Sequence, residues 1–263
     1  IASDSSTPHT FANDLNFSGG SSKNIGDAVN NGVLTFSGAV GFGGGSRNVS
    51  FNSDIIFSGT VGSGALVKEG TGKLTMDAVN TCTATTINGG VLAGSGSFSG
   101  PVAVNGATLS PGTGIGTLTI NNNLSLAGTS TTVMELSAAG NTNDMVTGLT
   151  GLTYNGTLTV TNLAGTLASG QSFQLFSSSA VPSGNFSTTN LPALTGGLAW
   201  NWNPTNGTLA VVSGIATNPT NITFSVSGGT LNLTWPGDHL GWIAQSNSVN
   251  LANTNFWFDI AGS

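Results

Sequence analysis

The chain has 263 residues, 38% of them hydrophobic, which suffices for one large all-β domain or two smaller ones with a real core. Only 5% are charged, against about a quarter in an ordinary soluble domain, and the net charge of −6 leaves four scattered cations, Lys23, Arg47, Lys68 and Lys73; that excludes a groove for a phosphate backbone, and with it nucleic acid as a partner. No apolar run reaches the roughly 18 residues of a membrane-spanning helix, and the lone Cys82 excludes both an intrachain disulfide and a thiolate metal site.

Residues 1–10 are polar and read as a loose or capping end that suits an already processed terminus. A ladder then begins at nearly even intervals: Leu15-x-Phe17, Leu34-x-Phe36, Ile55-x-Phe57, Leu74-x-Met76. In a strand the i, i+2 pair points to one face. The Ser-Gly that follows the first three copies turns a corner, where positive φ favours glycine. Such a spacing fits three short strands and three turns per coil. No single piece can bury its apolar face alone, so successive coils must stack, which predicts a β-solenoid.

Stacking also explains the missing charge. Equivalent side chains of successive coils lie about 4.8 Å apart, where like charges repel by about 1 kcal/mol in water and roughly 3–4 kcal/mol at an effective dielectric near 20. Columns of Ser, Thr and Asn avoid that cost. The same register aligns Asp54 with Lys73 and predicts an ion pair between coils.

Beyond Gly89 the pieces vary: Val102-x-Val104, Leu118-x-Ile120, Leu124-x-Leu126, Leu158-x-Val160 and Phe173-x-Leu175 carry the strand pattern to about Phe176. Residues 135–151 read as an irregular rung or protruding loop. Residues 181–212 hold Pro182, Pro192 and Pro204 together with Trp200 and Trp202, and read as a C-terminal cap, since proline suits edges rather than central ladders. The solenoid with its caps is thus expected over 1–215. Ala216–Asn221 reads as a linker to a short antiparallel, Ig-like or fibronectin-like module over 216–263, with a hairpin in ITFSVSGGTLNLTWP turning at Gly228-Gly229 and further strands in GWIAQSNSV and NFWFDI. About 48 residues are few for a closed sandwich, so the sheet is expected to be incomplete.

Gly64, Leu66, Lys68, Gly70, Gly72, Leu74, Asn80, Thr86, Ile87, Gly89, Gly90 and Leu92 together resemble the autotransporter-associated β-strand repeat of bacterial passenger domains. Cys82, Asp77-Ala78 and Ala84 depart from that pattern. The resemblance implies a right-handed parallel β-helix outside a Gram-negative cell, without implying any enzymatic activity. LNLTWPGDHLGWIAQSNS similarly resembles a terminal module of large secreted repeat proteins.

Little in the sequence suggests chemistry. The ten acids form no pair along the chain, although stacking could bring Asp54 to Asp77 or Glu69. Asp238-His239 reads as a turn after a strand rather than as part of a triad. The runs Gly41–Gly45 and Gly112–Gly116 lack the strand–turn–helix setting of a phosphate loop. Neither cofactor nor metal is expected. All five tryptophans (Trp200, Trp202, Trp235, Trp242 and Trp257) fall in the last quarter; they read first as packing of the cap and the C-terminal module, and they are also the candidate ligand or assembly contacts. The leading expectation is a non-enzymatic extracellular rod that self-assembles into filaments through its ends. The alternative is an adhesin or carbohydrate-binding module in which Trp200 and Trp202 stack on sugars; a polysaccharide-degrading β-helix enzyme comes third.

Overall fold

The computed structural model describes residues 1–20, 22–214, 223–234, 243–249, 252 and 256–260. Its main body is a three-sided parallel β-solenoid. Strands follow one another around faces A, B and C in sequence order, and each pairs with the equivalent strand of the next coil. Face A runs from His9–Phe11 through Leu34–Phe36, Ile55–Phe57, Lys73–Met76, Val91–Gly94, Thr108–Pro111, Thr131–Ser137 and Thr157–Asn162 to Thr188–Asn190. Face B runs from Leu15–Asn16 to Phe176–Ser178, and face C from Lys23–Ile25 to Ser183–Gly184. Eight intervals of about 4.8 Å make face A roughly 40 Å long.

The interior consists of columns of one residue per coil. Leu34, Ile55, Leu74, Leu92 and Leu109 are in register on face A, and all are fully buried. Beside them Phe11 stacks on Phe36 at 5.3 Å, and Phe36 meets Phe57 edge-on at 5.9 Å. The alternation read from the sequence therefore holds over most of the chain. Asp54 and Lys73 meet across coils at 3.7 Å, both half exposed, and the Lys73 N–H also donates to Asp54 Oδ1 at 3.0 Å.

Two expected assignments change. Leu15 and Phe17 are not the first copy of the Leu34–Phe36 ladder. Leu15 pairs with Val40 on face B and Phe17 stacks on Phe42, while His9–Phe11 pairs with Leu34–Phe36. The first coil runs from His9 to Leu34 and is longer than the one after it, from Leu34 to Ile55, so the even step from Phe17 to Phe36 joins two different faces. Phe173 and Leu175 are buried, but Ser172–Gln174 leaves the solenoid and pairs antiparallel with Thr208–Ser213. That excursion occupies the longest coil, from Thr157 to Thr188.

The Ser-Gly corners divide. Gly19, after Phe17, has the expected positive φ of 82°, whereas Gly38 and Gly59 do not. Instead a Cβ on Gly59 would lie 2.0 Å from the Gly38 carbonyl oxygen, and one on Gly38 2.5 Å from Asn13. These glycines let successive corners touch. Of the residues expected as an irregular rung, only 136–143 form a short antiparallel excursion, with Thr142–Asn143 pairing back on the end of Thr131–Ser137, while Met145–Leu149 is a parallel strand of face B paired with Thr117–Ile120.

The hairpin of the cap starts late in the expected residues 181–212, and the cap also recruits Ser172–Gln174 from outside them. Faces C and A continue to Gly184 and Asn190, and Leu198–Asn203 and Thr208–Ser213 then form an antiparallel hairpin completed by Ser172–Gln174. Farther on, Thr223–Ser227 and Thr230–Thr234 form the expected hairpin, with positive φ at Gly228 and Gly229. Phe224, Val226, Leu231 and Leu233 share one exposed face of it. Gln245–Ser246 pairs antiparallel with Phe258–Asp259. The linker Ala216–Asn221 lies outside the described residues.

Gly59 and Gly44 separate the two uses of glycine. Gly44 has φ +75° with nothing within 4 Å of an added Cβ. Gly44→Ala should cost about 1 kcal/mol, the left-handed backbone penalty, whereas Gly59→Ala should cost about 3 kcal/mol by forcing two coils apart. Denaturant unfolding of the two variants measures the difference.

Candidate functional site

The ionisable groups go to separate partners. Asp54 pairs with Lys73, Glu69 accepts from Asn88 Nδ2 at 2.8 Å, and Asp77 accepts from the Ser95 N–H at 3.0 Å. Stacking thus distributes these three acids over three coil contacts. His9 lies 3.1 Å from Asp4 on the exposed first coil. Among the described residues no three His, Cys, Asp or Glu side chains gather into a metal-binding group. Asp238 and His239 lie outside the described residues.

Among the described residues two charged groups are buried. Lys68 faces inward between Val49 and Ile87 on face C. Its Nζ donates to the Gly89 carbonyl at 2.7 Å and sits 5.4 Å from the centre of the Phe51 ring. Burial pulls its pKa from the usual 10.5 to about 8, against the opposing pull of Glu69 and Asp54. Asp144 holds the base of the antiparallel excursion, accepting from the Gly116 N–H at 2.8 Å and the Glu135 N–H at 2.7 Å. Burial pushes its pKa up to about 6. Both side chains satisfy backbone groups where the coil path departs from a plain strand. Cys82 is buried and its thiol is pushed up to about 12, so it is unreactive as a nucleophile at neutral pH.

Lys68 generates a pH test. A lysine whose folded pKa is depressed contributes stability above about 10.5 that is lost as pH falls through about 8. Stability should therefore rise with pH over 8–9, below the point where the unfolded Cys82 thiol, at its usual 9.0, titrates with opposite sign. Urea unfolding at pH 8 and 9 should show the rise in the natural chain and lose it in Lys68→Met.

The tryptophans at the cap are structural in their contacts. Trp200 and Trp202 lie on one side of Leu198–Asn203, both half-buried. Trp200 Nε1 donates to the Pro192 carbonyl at 2.8 Å, and its ring lies 6.4 Å from Phe173. Trp202 Nε1 donates to Asn185 Oδ1 at 2.9 Å, and its ring packs with Tyr154, Phe176 and Phe186. Both indole N–H groups are thus committed within the chain. Trp257 is 37% exposed beside the strand Phe258–Asp259. Trp235 and Trp242 lie outside the described residues.

A groove of about 620 Å³ opens where face A meets the cap, lined by residues 159–162, 165–167 and 190–195. Asn162 fixes one side: its Oδ1 accepts from the Ala138 N–H at 3.0 Å and its Nδ2 donates to the Gly165 carbonyl at 2.8 Å. Trp200 fixes the other through Pro192. Every lining side chain is uncharged. Nothing in the sequence signals this groove, because its Thr, Asn, Leu and Pro residues resemble the rest of the chain and come together only through the long coil from Thr157 to Thr188. Compared with family models and with curated proteins, the chain matches none.

Proposed function

We propose that this chain is a non-enzymatic structural rod of a bacterial cell surface or extracellular matrix, and that rods join end to end. The observation that carries the proposal is the condition of face A. It continues in register through every coil and ends, among the described residues, in a short edge strand on each side, His9–Phe11 and Thr188–Asn190.

Those edges suit one another. The His9 N–H donates inward to the Val33 carbonyl, so strand alternation turns the backbone of Thr10 to the free edge. The Thr188 N–H donates inward to the Gly156 carbonyl, which likewise turns the backbone of Thr189 outward. Head-to-tail stacking keeps the strands parallel, as they are throughout the solenoid, and such a contact does not close on itself. No charged side chain stands on either edge strand to repel a partner, apart from His9 when protonated. The resemblance of residues 64–92 to passenger repeats supports an extracellular setting.

The test is assembly. Sedimentation and electron microscopy across a wide concentration range should show oligomers growing into fibres. Thr189→Pro removes the outward N–H without touching the inward Thr188 bond, and should leave a folded monomer that does not assemble. A natural chain that stays monomeric at every concentration, or a Thr189→Pro chain that still forms fibres, would overturn the proposal.

A further inference from the structure

The groove between face A and the cap points to a second property: we infer that it binds a short neutral oligosaccharide. It shares Asn190 with the edge strand Thr188–Asn190, so binding is measured on the dilute, unassembled chain.

The lining is chemically mixed. It carries exposed hydroxyls from Thr161, Thr166 and Thr195, none of them hydrogen-bonded among the described residues, together with the exposed amide of Asn190. The Asn190 Nδ2 touches Thr159 Oγ1 at 3.4 Å, which leaves its Oδ1 as an acceptor facing no internal donor. Between Asn190 and Thr195 it also carries half-buried Leu191 and Leu194, packed against the core, and Pro192, whose carbonyl accepts from Trp200. Hydroxyls that both donate and accept match the equatorial hydroxyls of a pyranose, and an adjoining apolar strip matches its C–H face.

Charge narrows the ligand class. With no cation among its lining residues the groove offers nothing to a phosphate, sulfate or uronate, whose desolvation would go uncompensated. With no lining carboxylate it offers nothing to an amino sugar cation or a metal. The volume of about 620 Å³ lies within the range of small-ligand sites, roughly 300–1,000 Å³. The site is also held in shape before any ligand arrives. Asn162 clamps the Gly165 turn and the Trp200 indole clamps Pro192, so little ordering remains to be done on binding. Trp200 thus acts here as a positioning residue behind the wall, not as a stacking platform.

Titration calorimetry of the natural chain with cellotetraose, maltotetraose, tetragalacturonate and an unrelated extended tetrapeptide tests this. At least one neutral tetrasaccharide should bind at millimolar concentration or below, and the uronate and the peptide should not. Ala193 is exposed, so Ala193→Trp fills the groove without disturbing the core and should weaken binding at least tenfold. Thr161→Val, which removes one hydroxyl at constant shape, should weaken it several-fold and serves if Ala193→Trp fails to fold. Absence of neutral-sugar binding, equal binding of the uronate or the peptide, or affinity unchanged in the variants would overturn the inference.

Discussion

Everything in this molecule depends on in-register parallel stacking, which places chemically equivalent positions of successive coils about 4.8 Å apart. A column then multiplies whatever it contains. Leucine above isoleucine above leucine multiplies buried apolar contact, and phenylalanine above phenylalanine adds ring contacts of 5.3 and 5.9 Å. A column of carboxylates would multiply repulsion. The same constraint thus produces the core, the scarcity of charge and the Asn ladder just past the face C strands, where Asn105 Nδ2 donates to Asn88 Oδ1 and Asn88 Nδ2 to Glu69 Oε1. It also produces the glycine corners, because coils this close leave no room for a Cβ between Gly38 and Gly59.

Where the columns are interrupted, the interruption serves the backbone. Lys68 interrupts an apolar column on face C to satisfy the Gly89 carbonyl at the next corner. Asn80 stands between Val61 and Phe98 on face B, and its Oδ1 accepts from the Cys82 N–H at 2.7 Å where the chain turns toward face C. Asp144 does the same for two N–H groups at the antiparallel excursion. These buried polar groups read as chemistry only when taken singly. In the stack they satisfy backbone donors and acceptors that a short coil cannot pair with its neighbours. Among the described residues the counterexamples are the buried hydroxyls of Ser53, Thr132, Tyr154 and Ser178 and the Nδ2 of Asn80 itself, which find no partner. Burial accordingly pushes the Tyr154 phenol well above its ordinary range.

The solenoid was legible in the sequence because period-two pairs such as Leu34-x-Phe36 and Ile55-x-Phe57 recur at nearly constant spacing while coil length is nearly constant. In that part of face A the coils restart at Leu34, Ile55, Leu74, Leu92 and Leu109, each step close to the one before it. Legibility failed where length departs from that range. The longer first coil put Leu15–Phe17 on the wrong face, and the long coil from Thr157 to Thr188 hid both the cap strand Ser172–Gln174 and the groove. A local pattern shows which way a side chain alternates, but not which face the strand joins once an insertion has changed the count. The tryptophans were visible as a cluster in the chain, yet their partners, Pro192 and Asn185, are defined only by how the cap folds back.

The central claim is that stacking continues unbroken to an edge still able to pair. Residue-resolved hydrogen exchange compares that edge with the interior directly. The Leu109 amide, in the middle of face A, should be strongly protected at all concentrations, whereas the outward Thr189 amide should exchange freely in dilute solution and become protected as concentration rises. A Thr189 amide protected in dilute solution, or one whose exchange is unaffected by concentration, would contradict the account.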